Sequence, residues 1–565
     1  MEKSKYKINK EVFMKKRKLI SFLSVLVLLA GILSSCKNTK VDTASSKPVV
    51  SRNTVTPTSS FHSSKKLPRI PEKDWIEVDM LHVSDPLDRI ENDMVLLTEL
   101  AAFTGVKLNI EVLNPGSGSY KEQIVARFIS KSLPDLVNAQ ENADEYGPAP
   151  HSMLVDLTPY IDGCEYFKKY VSGLPGSMDI LKSYVDGKIY AFPQYRLIER
   201  ELMYGRVYRA DLMEEYGIDL PVTNNDWYNA YKVVKSKDAS ISCFSEADVG
   251  FYRRNQNLNN WNLATIDMAK FWGFVGTDLK KAVFLPITPE YKAMVEYNYK
   301  LGAENLLGDE MKNGLSYDSW FENYLMGGQV FSTSTLVCDR LTRAENETEE
   351  KGLDLEMACI PQNEKTGKIQ YFNEGNPWIG HGISISAAVT GDKLTKVINM
   401  LDFMYSDYAI NLFQFGVEDT DFTIDTETKA LLHQGGNTRY EIQQYVKEKV
   451  GFAYYLARVS HLYDQMMTYG IDMADENIEN FYYNRAKACE NILLPIPIKY
   501  EGVVELDEIN KQLTSYAISS LKGFIYGEKN LSDWDTYVAQ CKAFKCDEGT
   551  AIVQKWIDKY YEVTK

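Results

Sequence analysis

Short apolar segments recur along the chain after residue 75, and stretches with helical spacing of apolar residues lie between them. Three of these segments, "WIEVDMLHV" (75–83), "KLNIEVLN" (107–114) and "LPDLVNA" (133–139), are rich in aliphatic residues, and each predicts a strand. Strands that alternate with helices are typical of a largely parallel sheet with helices on both faces. The pattern therefore predicts an α/β fold.

The helix between the first two strands is predicted from its start and stop signals as well as from its apolar face. Asp85 followed by Pro86 indicates a helix N-terminus, and Gly105 indicates the end of the helix. The apolar residues that share one face of this predicted helix are Ile90, Met94, Leu97 and Ala101.

Similar signals continue through the middle of the chain. Thr223 with Asp226 predicts a capped helix, and Thr288 before Pro289 predicts the start of another. "GGQVFSTST" (327–335) is a further strand candidate.

Towards the C-terminus, an alternating strand is predicted within 376–389, followed by one long amphipathic helix that ends at Gly416. The rest of the chain is predicted to be mainly helical, with Cys541 on an apolar stripe, where it packs as a small hydrophobic residue. The face of the long helix is formed by Leu394, Val397, Leu401, Met404 and Tyr408.

The N-terminus has the pattern of an export signal. A basic cluster at Lys15–Lys18 precedes an apolar run from Leu19 to Leu33, which is shorter than the ~20 residues that span a bilayer. The run ends in Leu33-Ser34-Ser35-Cys36, which resembles the lipobox of bacterial lipoproteins. That resemblance implies cleavage before Cys36 and attachment of a lipid to its sulfur. The alternative is an ordinary signal peptide that happens to contain a cysteine.

Composition limits the remaining possibilities. The 565 residues are too many for one compact core, and the net charge of −15 disfavours nucleic-acid binding, which requires a basic surface. The segment 37–74 is rich in Ser, Thr, Pro and Lys and is predicted to be a flexible tether. The cysteines beyond Cys36 are scattered without a CxxC pair, so neither a disulfide framework nor a metal site is indicated, and no cofactor is expected.

Four blocks, in this order, resemble the extracellular solute-binding proteins, family 1, of ABC importers. They are "SLPDLVNA", "DGKIYAFPQ", "VYRADLMEEYGIDLPVTNNDWYNAYKVVKSKD" and "VINMLDFMYSDYAINLFQFGVEDTDF". In the last block, Asp419 stands where the family usually has glycine. The resemblance implies the two-lobed periplasmic-binding-protein-like fold of class II, with lobes joined by hinge strands and a ligand cleft between them.

The same resemblance implies a monomer that performs no catalysis. It would capture a sugar or oligosaccharide at the outer face of the cell membrane and deliver it to the transmembrane subunits of an ABC permease. The predicted segments are 1–35 (signal peptide), 36–74 (lipidated cysteine and tether), 75–198 (lobe A), 199–376 (lobe B), 377–430 (return to lobe A) and 431–565 (helical part, mainly on lobe B and the hinge).

Polar ligand contacts are expected in loops at the carboxyl ends of strands, where α/β sheets bind their ligands. The crossing segment adds Tyr195 and Arg196, and the second lobe adds Ser334 and Thr335. The loop after the third strand could equally be a solvated acidic loop. Its candidate residues are Glu141, Asp144 and Glu145.

Sugar binding also calls for aromatic rings under the C–H faces of the ligand. Trp378, in a loop with neighbouring Gly and Pro, is the preferred stacking ring, and packing in the core or hinge is its alternative. Trp261 and Trp320 are further candidates, and Tyr500 could close the cleft from the C-terminal side.

Other functions remain open at the level of sequence. A peptide- or signal-binding lipoprotein of the same fold would differ only in its cleft chemistry. A surface glycoside hydrolase is a weaker alternative: the chain has no HExxH or GxSxG motif, although paired carboxylates are not excluded. "DTDFTIDTE" (419–427) lacks the glycine and the spacing of an EF-hand, so a polar turn is predicted there.

Overall fold

The fold is taken from a computed structural model. It describes residues 68–564, apart from gaps within that range. The gaps are 84–88, 114–119, 139–148, 172–175, 197–203, 248–254, 268–269, 335–340, 342–343, 345–347, 349–350, 374–377, 426, 429, 438, 454–455 and 461–488. Cys36 and most of the predicted tether lie outside the described residues. Among the described residues, no helix combines the length and the apolar character needed to cross a membrane.

Seventeen strands are present in the described part of the chain. They are β1 (Ile76–Val83), β2 (Val106–Leu113), β3 (Leu136–Asn138), β4 (Phe192–Arg196), β5 (Arg206–Arg209), β6 (Ser242–Phe244), β7 (Leu263–Asp267), β8 (Trp272–Val275), β9 (Val283–Phe284), β10 (Val330–Thr333), β11 (Leu355–Ala358), β12 (Gln370–Asn373), β13 (Trp378–Ile385), β14 (Phe422–Ile424), β15 (Leu431–His433), β16 (Val459–Ser460) and β17 (Glu490–Leu493).

The first sheet has the strand order β2-β1-β3-β13-β4-β16. β1 pairs in parallel with β2 and β3, whereas β13 runs antiparallel to both of its neighbours. The chain thus leaves this sheet after β4 and returns through β13, which lies between β3 and β4. Everything between Arg196 and Trp378 is an insertion at that point, and this arrangement gives the molecule two lobes.

The second sheet has the order β11-β5-β10-β6 and is built entirely from the inserted part of the chain. A separate three-stranded sheet, β7-β8-β9, lies in the same insertion, and β12 pairs in parallel with β17. Val207 and Leu355 of the second sheet belong to the same buried apolar cluster as Leu136 and Ile383 of the first. The two lobes therefore share one apolar contact region.

Sixteen α-helices connect and cover these sheets in the described residues. They are α1 (Val95–Thr104), α2 (Tyr120–Ser130), α3 (Glu165–Val171), α4 (Ser177–Leu181), α5 (Ala210–Tyr216), α6 (Asn224–Lys237), α7 (Asn255–Leu258), α8 (Pro289–Ala303), α9 (Glu310–Asn313), α10 (Tyr317–Trp320), α11 (Gly391–Phe403), α12 (Asp407–Phe415), α13 (Arg439–Tyr445), α14 (Val503–Ile525), α15 (Trp534–Ala543) and α16 (Cys546–Val563).

Two predicted helix starts are confirmed in atomic detail. At α6, the Thr223 side chain accepts a hydrogen bond from the backbone N–H of Asp226, and the Asp226 carboxylate accepts one from the backbone N–H of Thr223. At α8, Thr288 accepts from the N–H of Tyr291, and Pro289 occupies the first turn. Such caps satisfy N–H groups that have no partner inside the helix, and they are local enough to be read from sequence.

The predicted start of the first helix is wrong. α1 begins at Val95 rather than at Asp85, because residues 91–94 form a turn in which the N–H of Met94 bonds to the carbonyl of Glu91. The Asn92 side chain accepts a hydrogen bond from the N–H of Ile110 in β2, which holds the turn against the sheet. The predicted end is confirmed, since Gly105 adopts the left-handed conformation at the helix C-terminus.

The single long helix predicted before Gly416 is also wrong. It is divided into α11 and α12 at residues 404–406. Ser406 is extended, and its side chain accepts a hydrogen bond from the N–H of Ala409, so it caps a new helix and ends the continuity of the old one. Beyond it, Asp419 has φ = 67°, the left-handed geometry that glycine favours and that Asp tolerates.

The C-terminal helices pack on the inserted lobe. α14 packs against α8 and α16, and buried residues of α14, α15 and α16 share an apolar cluster with Trp227 and Tyr231 of α6. Cys541 is fully buried in this cluster, as its apolar stripe predicts.

Candidate functional site

Two predicted residues meet at the end of the first sheet where β4 ends and β13 begins. This end of the sheet, at which the chain passes between the lobes, is here called the first edge. Arg196 is the last residue of β4, and Trp378 is the first residue of β13; they are direct partners across the two strands. Ser460 at the end of β16 pairs with Arg196 from the other side. Three segments that leave or enter the lobe therefore meet at one point of this edge.

β3 also points towards the first edge and ends at Asn138, which pairs with Ile383 of β13; residues 139–148, which follow it, lie outside the described residues. The predicted acidic residues Glu141, Asp144 and Glu145 are among them, and Thr335 also lies outside the described residues. At the end of β3 itself, the Asn138 side-chain amide lies 2.8 Å from His82 Nδ1, and both side chains are buried. The predicted ligand roles of the four undescribed residues stay predictions.

Tyr195 is placed below this edge rather than on it. Its ring is fully buried and packs against Phe167, Tyr170 and Tyr405, all of which belong to the first lobe. Burial raises the pKa of the Tyr195 hydroxyl well above its usual value. In this arrangement the ring contributes to the core of the first lobe, and its side chain is not open to a ligand.

In the second sheet, the ends of β6 and β10 lie beside the start of β5. This end of the second sheet is here called the second edge. Ser334, directly after β10, donates from Oγ to Glu246 Oε1 at 2.6 Å, and its Oγ lies 2.6 Å from Asn257 Oδ1. All three residues are buried. The predicted residue Ser334 is therefore held in a polar cluster at this edge.

The other predicted rings occupy different environments. Trp320 is fully buried, and its Nε1 donates to Ser245 Oγ at 2.9 Å, so it packs beneath the edge. Tyr500 is 43% exposed. In the chain it lies between Ile498 and Glu501. The N–H of Ile498 donates a hydrogen bond to the carbonyl of Trp556 in α16, and Trp556 Nε1 donates one to the carbonyl of Glu501. Trp261 is half-buried, and its ring packs against that of Tyr297 with 5.6 Å between the centroids and 53° between the planes.

Trp261 belongs to a polar cavity, here called the Arg–Asn cavity, that sequence reasoning missed. The cavity offers about 20 Å³ to the centre of a water-sized molecule, which is room for one such molecule. Its polar walls are Arg206, Asn224, Asn257 and Asn260, and the rings of Trp261 and Tyr297 also line it.

Several polar atoms of this cavity lack partners among the described residues: Arg206 Nε, Asn257 Nδ2 and Asn260 Oδ1. The remaining polar atoms are held in place, since Asn260 Nδ2 donates to Asn224 Oδ1 at 2.9 Å. Buried polar groups are nearly always hydrogen-bonded, so the unpartnered atoms indicate space for a water molecule or a polar group of a ligand.

The Arg206 guanidinium is stabilised mainly by neutral groups. Its Nη1 donates to the Tyr231 hydroxyl at 3.1 Å, and its charge lies over the rings of Phe244 at 4.5 Å and Trp227 at 5.5 Å. No carboxylate of the described residues forms an ion pair with it. Burial raises the pKa of Tyr231 and of Tyr297, while the positive charge of Arg206 acts in the opposite direction on both.

A sequence signal for this cavity exists. Five asparagines fall within residues 255–262, "NQNLNNWN", and such a density of neutral hydrogen-bonding side chains beside a tryptophan is unusual in a helix or a strand. The amide groups both donate and accept hydrogen bonds, which suits hydroxyl groups, whereas the Arg206 guanidinium offers donors only. Across the described part of the chain, no group of three or more His, Cys, Asp or Glu side chains is placed to hold a metal ion.

Comparison with known families agrees with the two-lobed architecture. Residues 93–324 match the family model of the bacterial extracellular solute-binding protein. The family prediction is thereby confirmed over these residues, and the match runs from the turn before α1 into the second lobe. No curated protein sequence matches the chain.

Solved structures of solute-binding proteins share the fold along nearly the whole described chain. The alginate-binding protein AlgQ2 without calcium ion has a TM-score of 0.65 at 16% identity, covering 86% of this chain and 100% of that one. An HMO-binding, ABC-transporter-associated solute-binding protein from Bifidobacterium longum infantis has a TM-score of 0.65 at 14% identity, with 87% and 100% coverage.

The S. pneumoniae ABC-transporter substrate-binding protein FusA, solved in complex with kestose, has a TM-score of 0.64 at 17% identity and covers 86% of this chain and 100% of that one. At these identities the likeness establishes the fold. The predicted two-lobed, periplasmic-binding-protein-like α/β fold is confirmed.

Proposed function

We propose that the protein is the membrane-anchored, solute-capturing component of an ABC importer and that its solute is a carbohydrate, most simply an oligosaccharide. The observation that carries the proposal is the insertion of the second lobe between β4 and β13, so that the chain leaves the first sheet after Arg196 and returns to it at Trp378. Two lobes joined in this way can close around a ligand, and a ligand with higher affinity for the closed state supplies the free energy of closure.

The chemistry at the sheet edges supports a carbohydrate. The second edge carries the Ser334 hydroxyl and the amides of Asn257 and Asn260, with the Trp261 ring beside them. Arg206 and Glu246 place charged groups at the same edge. Rings for C–H faces and planar donors for hydroxyls are what sugar recognition needs. Solved proteins of the same fold are described as binding alginate or kestose, which are both carbohydrates.

The proposal includes no catalytic step. Capture requires only reversible binding, and delivery requires that the closed form dock on the permease. A lipid on Cys36 would keep the protein close to that permease, and the segment 37–74, which its composition predicts to be a tether, would connect the lipid to the lobes. A peptide- or signal-binding role for the same fold is the second candidate, and ligand screening separates the two.

Thermal unfolding of the chain from residue 37 onward, in the presence of oligosaccharides and of peptides, tests the proposal. A ligand that binds only the folded state at 100 times its Kd stabilises the protein by about 2.7 kcal/mol. We expect an oligosaccharide to raise Tm in a concentration-dependent manner and to be recovered unchanged. Stabilisation by peptides alone would favour the second candidate, and conversion of the sugar to product would overturn the proposal.

Replacing Cys36 by Ser is expected to release the protein from the membrane fraction, because a hydroxyl cannot accept the thioether-linked lipid. Ligand binding should be unchanged, since the fold begins after the tether. The measurement is the distribution of the protein between washed membranes and medium. Cys164→Ser is the matched control: Cys164 is a buried thiol that bonds to the Tyr160 carbonyl, and its variant should remain in the membrane fraction. Membrane retention of Cys36→Ser would contradict the lipobox interpretation.

A further inference from the structure

Two cysteines that are far apart in the chain lie side by side at the second sheet. Cys359 directly follows β11, and Cys489 directly precedes β17. Their Sγ atoms are 3.7 Å apart, although 130 positions separate the residues in sequence. Both side chains are half-buried.

The surrounding backbone fixes both partners. After Cys359, the N–H of Ile360 donates to the Tyr371 hydroxyl at 3.2 Å. After Cys489, the N–H of Glu490 donates to the carbonyl of Ile369 at 3.1 Å, which begins the parallel β12–β17 ladder. β12 thus holds both Ile360, the residue after Cys359, and β17, the strand after Cys489. The two thiols lie close together because both segments are attached to β12.

The separation is short enough for a covalent bond without a new fold. A disulfide has an S–S distance of about 2.05 Å, so the sulfurs must approach by about 1.7 Å from the 3.7 Å observed. One step between staggered χ1 rotamers moves a cysteine Sγ by about 3 Å, and side-chain rotation alone covers the difference.

We propose that Cys359 and Cys489 form a disulfide in the exported protein. Each thiol loses one proton and the pair loses two electrons as the S–S bond forms. The oxidant that we name is a protein disulfide of an extracytoplasmic thiol oxidase, which takes up the two electrons and two protons and becomes a dithiol. The extracytoplasmic location that the family implies is the compartment in which such bonds persist. The inference does not depend on which solute the protein binds.

The thiol of Cys489 is a poor nucleophile once the two segments have packed. The contact with Cys359, followed by burial, raises the pKa of Cys489 well above that of an ordinary thiol. Thiolate is the reactive form, so uncatalysed oxidation of the folded chain is slow, and exchange with the oxidase is fastest before the two segments have packed.

The bond would attach the start of β17 to the end of β11. β17 is where the chain re-enters the described structure after the segment 461–488, and from there it continues into the C-terminal helices. The disulfide would thus fix the return of the chain to the second sheet. Other buried cysteines have different contacts: Cys164 and Cys243 donate to backbone carbonyls, and Cys546 lies nearest Asp547.

Peptide mapping of the protein isolated from the surface of the producing cells tests the bond directly. At harvest the protein is denatured in urea in the presence of N-ethylmaleimide, so that buried thiols are blocked as well, and it is digested with trypsin without reduction. We expect the peptides 352–365 and 488–499 to be recovered as one linked species that separates on reduction, while Cys164, Cys243 and Cys541 carry the label. Recovery of both peptides as separate, labelled species would overturn the proposal.

The effect of reductant on Tm provides a second test, because two thiols that only pack against each other would not respond to reductant. Reductant is expected to lower the Tm of the exported wild-type protein by about 5 °C. It should leave Cys359→Ser, Cys489→Ser and the double variant unchanged, with all three near the reduced wild type. A wild-type Tm that is insensitive to reductant would count against the bond. Loss of ligand binding in any variant would concern the proposed function and not the disulfide.

Discussion

Replacing Gly273 by Ala is expected to lower the free energy of unfolding by about 3–5 kcal/mol, near the upper end of single-substitution effects. A Cβ at this position of β8 would lie 1.9 Å from the backbone carbonyl oxygen of Ala264 in the paired strand β7. Backbone cannot rotate away as a side chain can, so the β7–β8 pairing must open.

The damage should spread beyond this small sheet, because β8 is joined to the C-terminal helices. Trp272, the neighbour of Gly273, donates from Nε1 to Asn510 of α14 at 3.1 Å. Its ring packs so closely on α16 that a Cβ at Gly549 would lie 2.7 Å from it. Displacement of β8 therefore disturbs the anchoring of α14 and α16.

Urea denaturation followed by circular dichroism measures this effect. Gly163→Ala is the matched control, since a Cβ there meets nothing within 4 Å. We expect its free energy of unfolding to lie within about 0.5 kcal/mol of the wild-type value, as is usual for open sites. An unchanged midpoint for Gly273→Ala would mean that β7 and β8 do not approach as closely as described.

Replacing Trp378 by Ala is expected to weaken binding of the cognate oligosaccharide by about 30-fold, the effect of removing a central aromatic contact worth about 2 kcal/mol. Trp378 begins β13 directly opposite Arg196 at the sheet edge where the chain crosses between the lobes. The proposed function puts the sugar where the chain crosses between the lobes, and Trp378 is the aromatic residue that the sequence predicts as its stacking partner.

Isothermal titration with the sugar found by thermal unfolding measures the change, with Tyr160→Ala as a control for an exposed ring elsewhere on the first lobe. Trp378→Phe retains a ring and should recover part of the affinity. The alternative role of Trp378, packing in the core or hinge, predicts the opposite pattern: a clear fall in the Tm of the ligand-free protein and an unchanged affinity once folded.

Many elements of both lobes could be predicted from the sequence because their signals are local. The strands at 75–83 and 107–114 and the Thr223–Asp226 cap each depend on residues within a few positions of one another. One error arose where a distant segment competed with local preference, since the Asn92 side chain bonds to β2 and keeps the preceding residues out of α1. The other overlooked a local signal, the Ser406 cap, because the apolar stripe continues past it.

The candidate site was less accessible to sequence reasoning. Tyr195 is predicted from the sequence to contact the ligand. However, β4 is buried on both faces, and the sequence of such a strand does not show which of its residues are open to a ligand. The structure places Tyr195 in the core and brings Arg196 and Trp378 into register. The importance of Arg206 was missed because a basic residue at a strand start gives no sign that it will be buried among aromatic rings.

The sequence by itself determined the alternation of strands and helices, the capped helix starts and the family resemblance, because each depends on the order and spacing of neighbouring residues. It also predicts an export signal that ends at Cys36. Only the tertiary structure decided which distant residues meet: Arg196 with Trp378, Arg206 with Asn257 and Asn260 around one cavity, and Cys359 with Cys489. Such contacts depend on strand order and register, which are fixed by burial across the whole fold and not by any one segment.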